Sequence, residues 1–198
     1  AACGNYIEMD GKVIYENNLS ADMVQKVIRV LSECKMPVVL EGSTDYWIDD
    51  EGFEDDPYVD YLFESLGEHA HIIRGYDGEI RINKFSADVI DGTDYERVKT
   101  EFADDFLILE HVENVVEFVP KGTSKATGIK WLCNHLDIPL DETYAIGDSV
   151  NDLEMLESVG HGIAMGNSMP PAKEIAEYVT SDISDDGVKN ALKHYGLI

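Results

Sequence analysis

Gly147-Asp148-Ser149-Val150-Asn151-Asp152 follows the apolar run Tyr144-Ala145-Ile146 and precedes the helix-like run Leu153-Glu154-Met155-Leu156. The pattern is a strand that turns on a glycine and delivers two carboxylates and an amide into a helix start. Hard oxygen ligands of this kind suit Mg²⁺, and the N–H groups of a helix start attract phosphate. Asp148 falls just past the carboxyl end of the strand, where an open α/β sheet presents its ligands. Asp152 follows four residues later, so both carboxylates can converge on one side of the first turn. Ser149 and Asp152 also satisfy the Ser-x-x-Asp capping box, a purely structural device. Capping leaves Asp148, Asn151 and the glycine unexplained, and these three favour a functional loop.

Outward from this stretch, the chain after Pro120 alternates helices and strands. Ser124 to Leu136 reads as a helix, Thr143 to Ile146 as a strand and Asp152 to Ser158 as a helix. Gly162 to Met165 is a strand, and Pro170 to Tyr178 is a helix with prolines in its permitted first turn. A short strand near Val179 and a helix from Gly187 to Tyr195 complete the series. Short strands alternating with helices predict a parallel sheet covered on its faces. The first half is of a different kind, mixing hairpins and helices as an α+β domain does. Asp10-Gly11 between Tyr6-Ile7-Glu8-Met9 and Lys12-Val13-Ile14-Tyr15 is a hairpin signal. Ser20 caps a helix with apolar residues at helical spacing, from Met23 and Val24 to Cys34. Val38-Val39-Leu40, residues 79–88, Phe106 to Leu109 and Val115 to Val119 carry strand character, and Tyr58 to Leu66 and Asp94 to Phe102 read as helices. The boundary is expected near Val119-Pro120-Lys121-Gly122.

Lys125 stands in the first turn of the helix after Ser124, where a cation opposes the helix dipole. Lys121 lies just upstream, so two of only 15 basic residues are expected to crowd one positive helix end. A bound phosphate would offset both penalties. Asn167, in the turn Gly166-Asn167-Ser168 after the next strand, can line the same rim or serve as a turn residue. Two hydroxyl stretches imitate sites and are set aside. Asp91-Gly92-Thr93 resembles the tail of an Asp-x-Asp-Gly-Thr motif, but Val89 holds the nucleophile position; Ser43-Thr44 also lies in the α+β half. The close pair His69-x-His71 suits a surface or core role better than metal ligation.

Forty acidic against 15 basic residues give a formal charge of −25, which argues against nucleic-acid or anionic-membrane partners. The acidic runs Asp49-Asp50-Glu51 and Glu54-Asp55-Asp56 lack EF-hand spacing and read as a solvated loop. With 44% hydrophobic residues the composition is that of a globular protein, and no apolar run reaches the roughly 20 residues of a membrane span. No basic-then-apolar leader opens the chain, and Ala1-Ala2-Cys3-Gly4-Asn5 reads as chain already inside a fold. Cys3, Cys34 and Cys133 show no metal spacing, so reduced thiols in a cytoplasmic protein are expected.

These motifs together resemble the haloacid dehalogenase superfamily, in particular its Cof-type phosphatases with a class IIB cap. Lys121-Gly122-Thr123-Ser124-Lys125 is similar to the third motif of that family, and Gly147-Asp148-Ser149-Val150-Asn151-Asp152 to its fourth. Gly4-Asn5-Tyr6-Ile7, Ala164-Met165-Gly166-Asn167-Ser168 and Asp186-Gly187-Val188 fit weaker signatures. The resemblance implies an α/β fold: a partial Rossmann-like three-layer core with a parallel sheet, plus an α+β cap. Residues 1–10 would be a core remnant leading into the cap, 11–119 the cap and 120–198 the C-terminal part of the core. It implies Mg²⁺-dependent hydrolysis of a small phosphorylated metabolite through an aspartyl-phosphate. Lys125 would neutralise the phosphoryl charge and Asp148 would ligate Mg²⁺. Asn151 would contact phosphate or orient the loop, and Asp152 would bind the metal or its waters and hold Lys125.

The family's first two motifs, with the attacking aspartate, belong before Gly4 and are not in these 198 residues. The chain is therefore read as truncated, or as one fragment of a protein whose missing part is separate, and as inactive alone. A core sheet lacking that strand is expected to favour association. A non-catalytic module binding a metabolite or a partner, and a phosphoryl transferase, are the alternative readings.

Overall fold

The computed structural model describes residues 2–49, 57–76, 78–111 and 114–198, so Asp50-Glu51 and Glu54-Asp55-Asp56 lie outside the described residues. Two compact units divide the chain, one of residues 1–121 and the other of 122–198. Residues 1–10 fall in the first unit.

The first unit runs β1 (Tyr6–Met9), β2 (Lys12–Glu16), α1 (Ala21–Glu33), β3 (Val38–Glu41), β4 (Tyr46–Ile48), α2 (Pro57–Leu66), β5 (Ala70–Ile72), β6 (Lys84–Asp88), α3 (Tyr95–Phe102), β7 (Phe106–Glu110) and β8 (Val115–Pro120). Asp10 and Gly11 both take positive φ, 52° and 71°, as the tight turn between β1 and β2 requires. Ser20 accepts the Met23 N–H and starts α1, and Asp94 does the same for α3 through Arg97. Six strands form one sheet in the order β5-β4-β3-β6-β8-β7, with β4 and β5 parallel and the remaining pairs antiparallel.

Strand alternation explains the unbroken apolar run of β3. Val38 and Leu40 enter the main core with Val24, Val27, Val30 and Leu31 of α1 and with Val98 and Phe102 of α3. Val39 points the other way, to a smaller cluster with Ile48 and with Val59 and Leu62 of α2. Four phenylalanines knit the main core. Phe85 stacks on Phe118 with centroids 4.5 Å apart, and Phe102 and Phe106 meet them edge-on.

The same strands carry a buried charged network. Lys84 Nζ lies 2.8 Å from Glu41 Oε2 and 2.7 Å from Glu117 Oε1. Ser86 Oγ donates to Glu41, and a ring nitrogen of His111 lies 3.1 Å from Glu117 Oε2. Burial works against the Lys84 ammonium, but the two carboxylates outweigh it and raise its pKa. Burial likewise works against the Glu117 carboxylate, and Lys84 overturns that, leaving its pKa below the usual 4.5.

The second unit runs α4 (Lys125–Leu136), β9 (Tyr144–Gly147), α5 (Leu153–Ser158), β10 (His161–Ala164), α6 (Pro170–Ile175), β11 (Tyr178–Val179) and α7 (Gly187–His194). Its three strands are parallel in the order β11-β10-β9, the α/β pattern expected. Small residues let helices approach this short sheet closely. Ala126, Ala145, Ala164, Ala172 and Ala191 are all buried, beside Leu156, Ile163 and Met165. A Cβ on Gly162 would stand 2.2 Å from the Leu156 carbonyl oxygen, so only glycine fits there.

Two local expectations need correction. Residues 79–83 are irregular and β6 starts only at Lys84. The helix at Pro170 stops at Ile175, because Ala176 is already extended and Tyr178 pairs with Ile163. The Lys121 ammonium bonds the Ala103 carbonyl at 2.6 Å, inside the first unit. Among the described residues no helix is long and apolar enough to cross a membrane.

Candidate active site

The site is built where β9 ends. Gly147 is its last residue, Asp148 follows, and a single 3₁₀ turn at Val150–Asp152 leads into α5. The chain folds back so tightly that a Cβ on Gly147 would stand 2.6 Å from the Cβ of Asp152. The glycine is therefore required by the carboxylate five residues later, which the capping pattern alone did not reveal.

Asp152 is buried, with 4% of its surface exposed, and both of its oxygens have partners. Oδ2 accepts the backbone N–H of Asp148 at 3.0 Å and of Ser149 at 3.2 Å. Oδ1 lies 2.5 Å from Lys125 Nζ. Burial pushes this carboxyl up, but the Lys125 bond and the two N–H donors prevail and hold it below the usual 3.8. Lys125 is the first residue of α4, whose start is closed by reciprocal bonds between Ser124 and Thr127. A cation at that end is unfavourable by itself, and Asp152 supplies the negative charge it lacks.

Asn151 turns its amide oxygen inward, 3.5 Å from Lys125 Nζ and 2.5 Å from Ser149 Oγ. Its NH₂ donors are the part left to meet an anion. Asp148 is exposed at the strand end. The structure thus brings together Lys125, Asn151 and Asp152, with Asp148 next to them in the same turn.

Asn167 does not join them: its side-chain oxygen accepts the Ile183 N–H at 3.1 Å. The neighbouring Ser168 braces the backbone at the end of β9 instead. It is buried, and its hydroxyl donates to the Gly147 carbonyl at 3.2 Å, while Met169 N–H bonds the Asp148 carbonyl. Sequence reasoning missed Ser168 because Gly166-Asn167-Ser168 offers two side chains for one turn, and only the fold selects between them. Of the set-aside stretches, Thr93 accepts the Ile90 N–H and donates to the Lys35 carbonyl, the bonding of a turn. Ser43 donates to Glu16 and Thr44 to Asp45.

The donor set fits Mg²⁺ in part. Among the described residues no group of three or more His, Cys, Asp or Glu is arranged to hold a metal. Mg²⁺ is usually bound by one or two carboxylates together with waters and substrate phosphate, not by a protein cage. Asp148 supplies such a carboxylate, and Asp152, committed to Lys125 and to backbone, lies beside it.

A sequence profile of haloacid dehalogenase-like hydrolases matches residues 1–192. The chain belongs to that family. YkrA of Bacillus subtilis (strain 168), named as an inferred phosphatase, is 30% identical over 212 aligned residues, covering 98% of this chain and 74% of YkrA. A hypothetical protein of Geobacillus kaustophilus HTA426 superposes with a TM-score of 0.82 at 26% identity, over 99% of this chain and 75% of that one. The subclass IIB sugar phosphatase BT4131 of the same superfamily shares the fold, with a TM-score of 0.73 at 22% identity over 99% of this chain and 74% of that one. In this haloacid dehalogenase-like chain, Lys125 and the Asp148 loop are the residues on which the resemblance rested.

Proposed function

We propose that residues 122–198 supply the lysine and metal side of a Mg²⁺-dependent phosphomonoester hydrolase acting on a small phosphorylated metabolite. The observation that carries this reading is the contact between Lys125 Nζ and Asp152 Oδ1 at 2.5 Å, one turn from the exposed Asp148. The Lys125 ammonium, held by Asp152, sits where a phosphoryl oxygen would gain most from a cation. The Asn151 NH₂ donates to a second oxygen. Asp148 would hold Mg²⁺, and Asp152 would meet the ion or its waters while it positions Lys125. Bound there, the ion would polarise the phosphoryl group and offset its charge.

The attacking aspartate is assigned outside these residues, because no Asp-x-Asp pair occurs among the 198. This chain by itself is expected to hydrolyse p-nitrophenyl phosphate no faster than a blank. Turnover above the blank that disappears in Asp148→Ala would overturn that assignment.

Partners follow from charge and edges. A formal charge of −25 supports a small metabolite over nucleic acid or an anionic membrane. β9 ends the described three-stranded sheet and offers an edge through which association is proposed. Cys34 and Cys133, buried as thiols, support a reducing compartment, taken as the cytoplasm.

A further inference from the structure

A second site lies wholly in the first unit. A cleft of about 390 Å³ opens between the β1–β2 hairpin, the start of β4 with β5, and the segment that carries Tyr76, Glu79 and Arg81. Three stretches distant in sequence thus contribute its walls. Its volume is in the range of small-molecule pockets.

One wall is aromatic. Trp47 and His71 are paired across β4 and β5, with ring centroids 5.6 Å apart. Tyr76 closes on both, 5.9 Å from Trp47 and 5.3 Å from His71. The His71 ring is fixed, because its Nε2 lies 2.8 Å from Asp45 Oδ1. The Thr44 hydroxyl holds the other Asp45 oxygen at 2.6 Å. His71 is thereby held in place, and Trp47 behind it is buried, with 4% of its surface exposed.

The remaining walls are rich in acceptors. Asp45, Glu16 and Glu79 line the cleft, and Arg81 is the guanidinium among its lining residues. Arg81 Nε stands 3.7 Å from Glu79 Oε1, and Ser43 donates to Glu16 Oε1. The Thr44 bond, and after it that from His71, hold the Asp45 carboxyl below the usual 3.8, so it is charged at neutral pH. Three carboxylates facing one guanidinium repel a phosphate or a carboxylate ligand. They attract a donor-rich, positively charged one, and the ring of Tyr76, 36% exposed, attracts the same charge through its π-electrons.

We propose that this cleft binds a small organic cation, an amine or ammonium group seated against Tyr76, in front of the buried Trp47, and balanced by Asp45, Glu16 and Glu79. The site is independent of the phosphate site: none of its residues lies in 122–198, and its test does not read hydrolysis.

Trp47 reports on its own site once Trp131, the second tryptophan, is replaced. In a Trp131→Phe background, tetramethylammonium chloride is expected to change Trp47 emission saturably, with a Kd between about 0.1 and about 10 mM. Sodium chloride at equal ionic strength and glucose at equal concentration should leave the emission unchanged. The Glu16→Gln/Glu79→Gln double variant should weaken binding about tenfold. Its two side chains are on the surface, that of Glu79 being 80% exposed, so the fold is kept. Tyr76→Leu should weaken binding similarly. No saturable response up to about 100 mM, an equal response to sodium chloride, a response to glucose instead, or unchanged affinity in both variants would each overturn the proposal.

Discussion

Asp152→Ala lowers the unfolding free energy by about 2–4 kcal/mol in urea denaturation. The substitution removes the acceptor of two backbone N–H groups, those of Asp148 and Ser149, and the counter-ion of Lys125 at once. A donor left without a partner costs desolvation in proportion to its burial, and two part-buried ones are left here. The share owed to the ion pair is discounted, because Lys125 retains 36% side-chain exposure and can turn to water. The pH dependence identifies the source. A carboxyl held below the usual 3.8 stabilises the protein fully above that value, and the gain is lost as pH falls through the lower folded-state pKa. Asp152→Ala should therefore lose the acid side of the stability profile that the parent shows below about pH 4. A variant as stable as the parent at pH 7 would show that Asp152 does not hold the loop.

Lys84→Met carries the second large effect, a loss of about 3–5 kcal/mol at neutral pH. Methionine keeps the stem packed, so the loss isolates the charge. Without the ammonium, Glu41 and Glu117 share a buried site with no cation between them, Glu117 having only 10% of its side chain exposed. The raised Lys84 pKa contributes stability below the usual 10.5, lost as pH climbs through the folded value. The lowered Glu117 pKa contributes above 4.5, lost as pH falls through its folded value. The deficit should be full between those two values and narrow outside them, most visibly in acid, where protonation of the carboxyls relieves the repulsion. A deficit independent of pH would assign Lys84 a packing role alone.

What could be read in the sequence was local. The Asp10-Gly11 turn, the Ser20 cap, the helix start at Ser124 and the strand-turn-helix at Gly147 each depend on residues within five positions, and the structure carries all of them. The Lys84 network was invisible because its members come from β3, β6 and β8, and only sheet register places Glu41 opposite Lys84. The strand expected over residues 79–83 failed for a related reason: its apolar Ile80 and Ile82 serve the core from an irregular segment that makes no ladder. At the site, spacing joined Asp148 to Asp152. It could not show that both Asp152 oxygens are spent on Lys125 and on backbone, nor that Lys121 bonds elsewhere.

Calorimetric titration with inorganic phosphate, with and without MgCl₂, decides whether phosphate and Mg²⁺ meet beside Lys125 and Asp148. Phosphate is expected to bind about tenfold more tightly when Mg²⁺ is present, and by reciprocity the ion should bind more tightly with phosphate. Asp148→Asn should remove that enhancement while leaving the Mg²⁺-free affinity unchanged, and Lys125→Met should weaken phosphate binding under both conditions. Equal phosphate affinity in the parent and both variants, or no binding of phosphate with Mg²⁺ present, would show that they do not meet there.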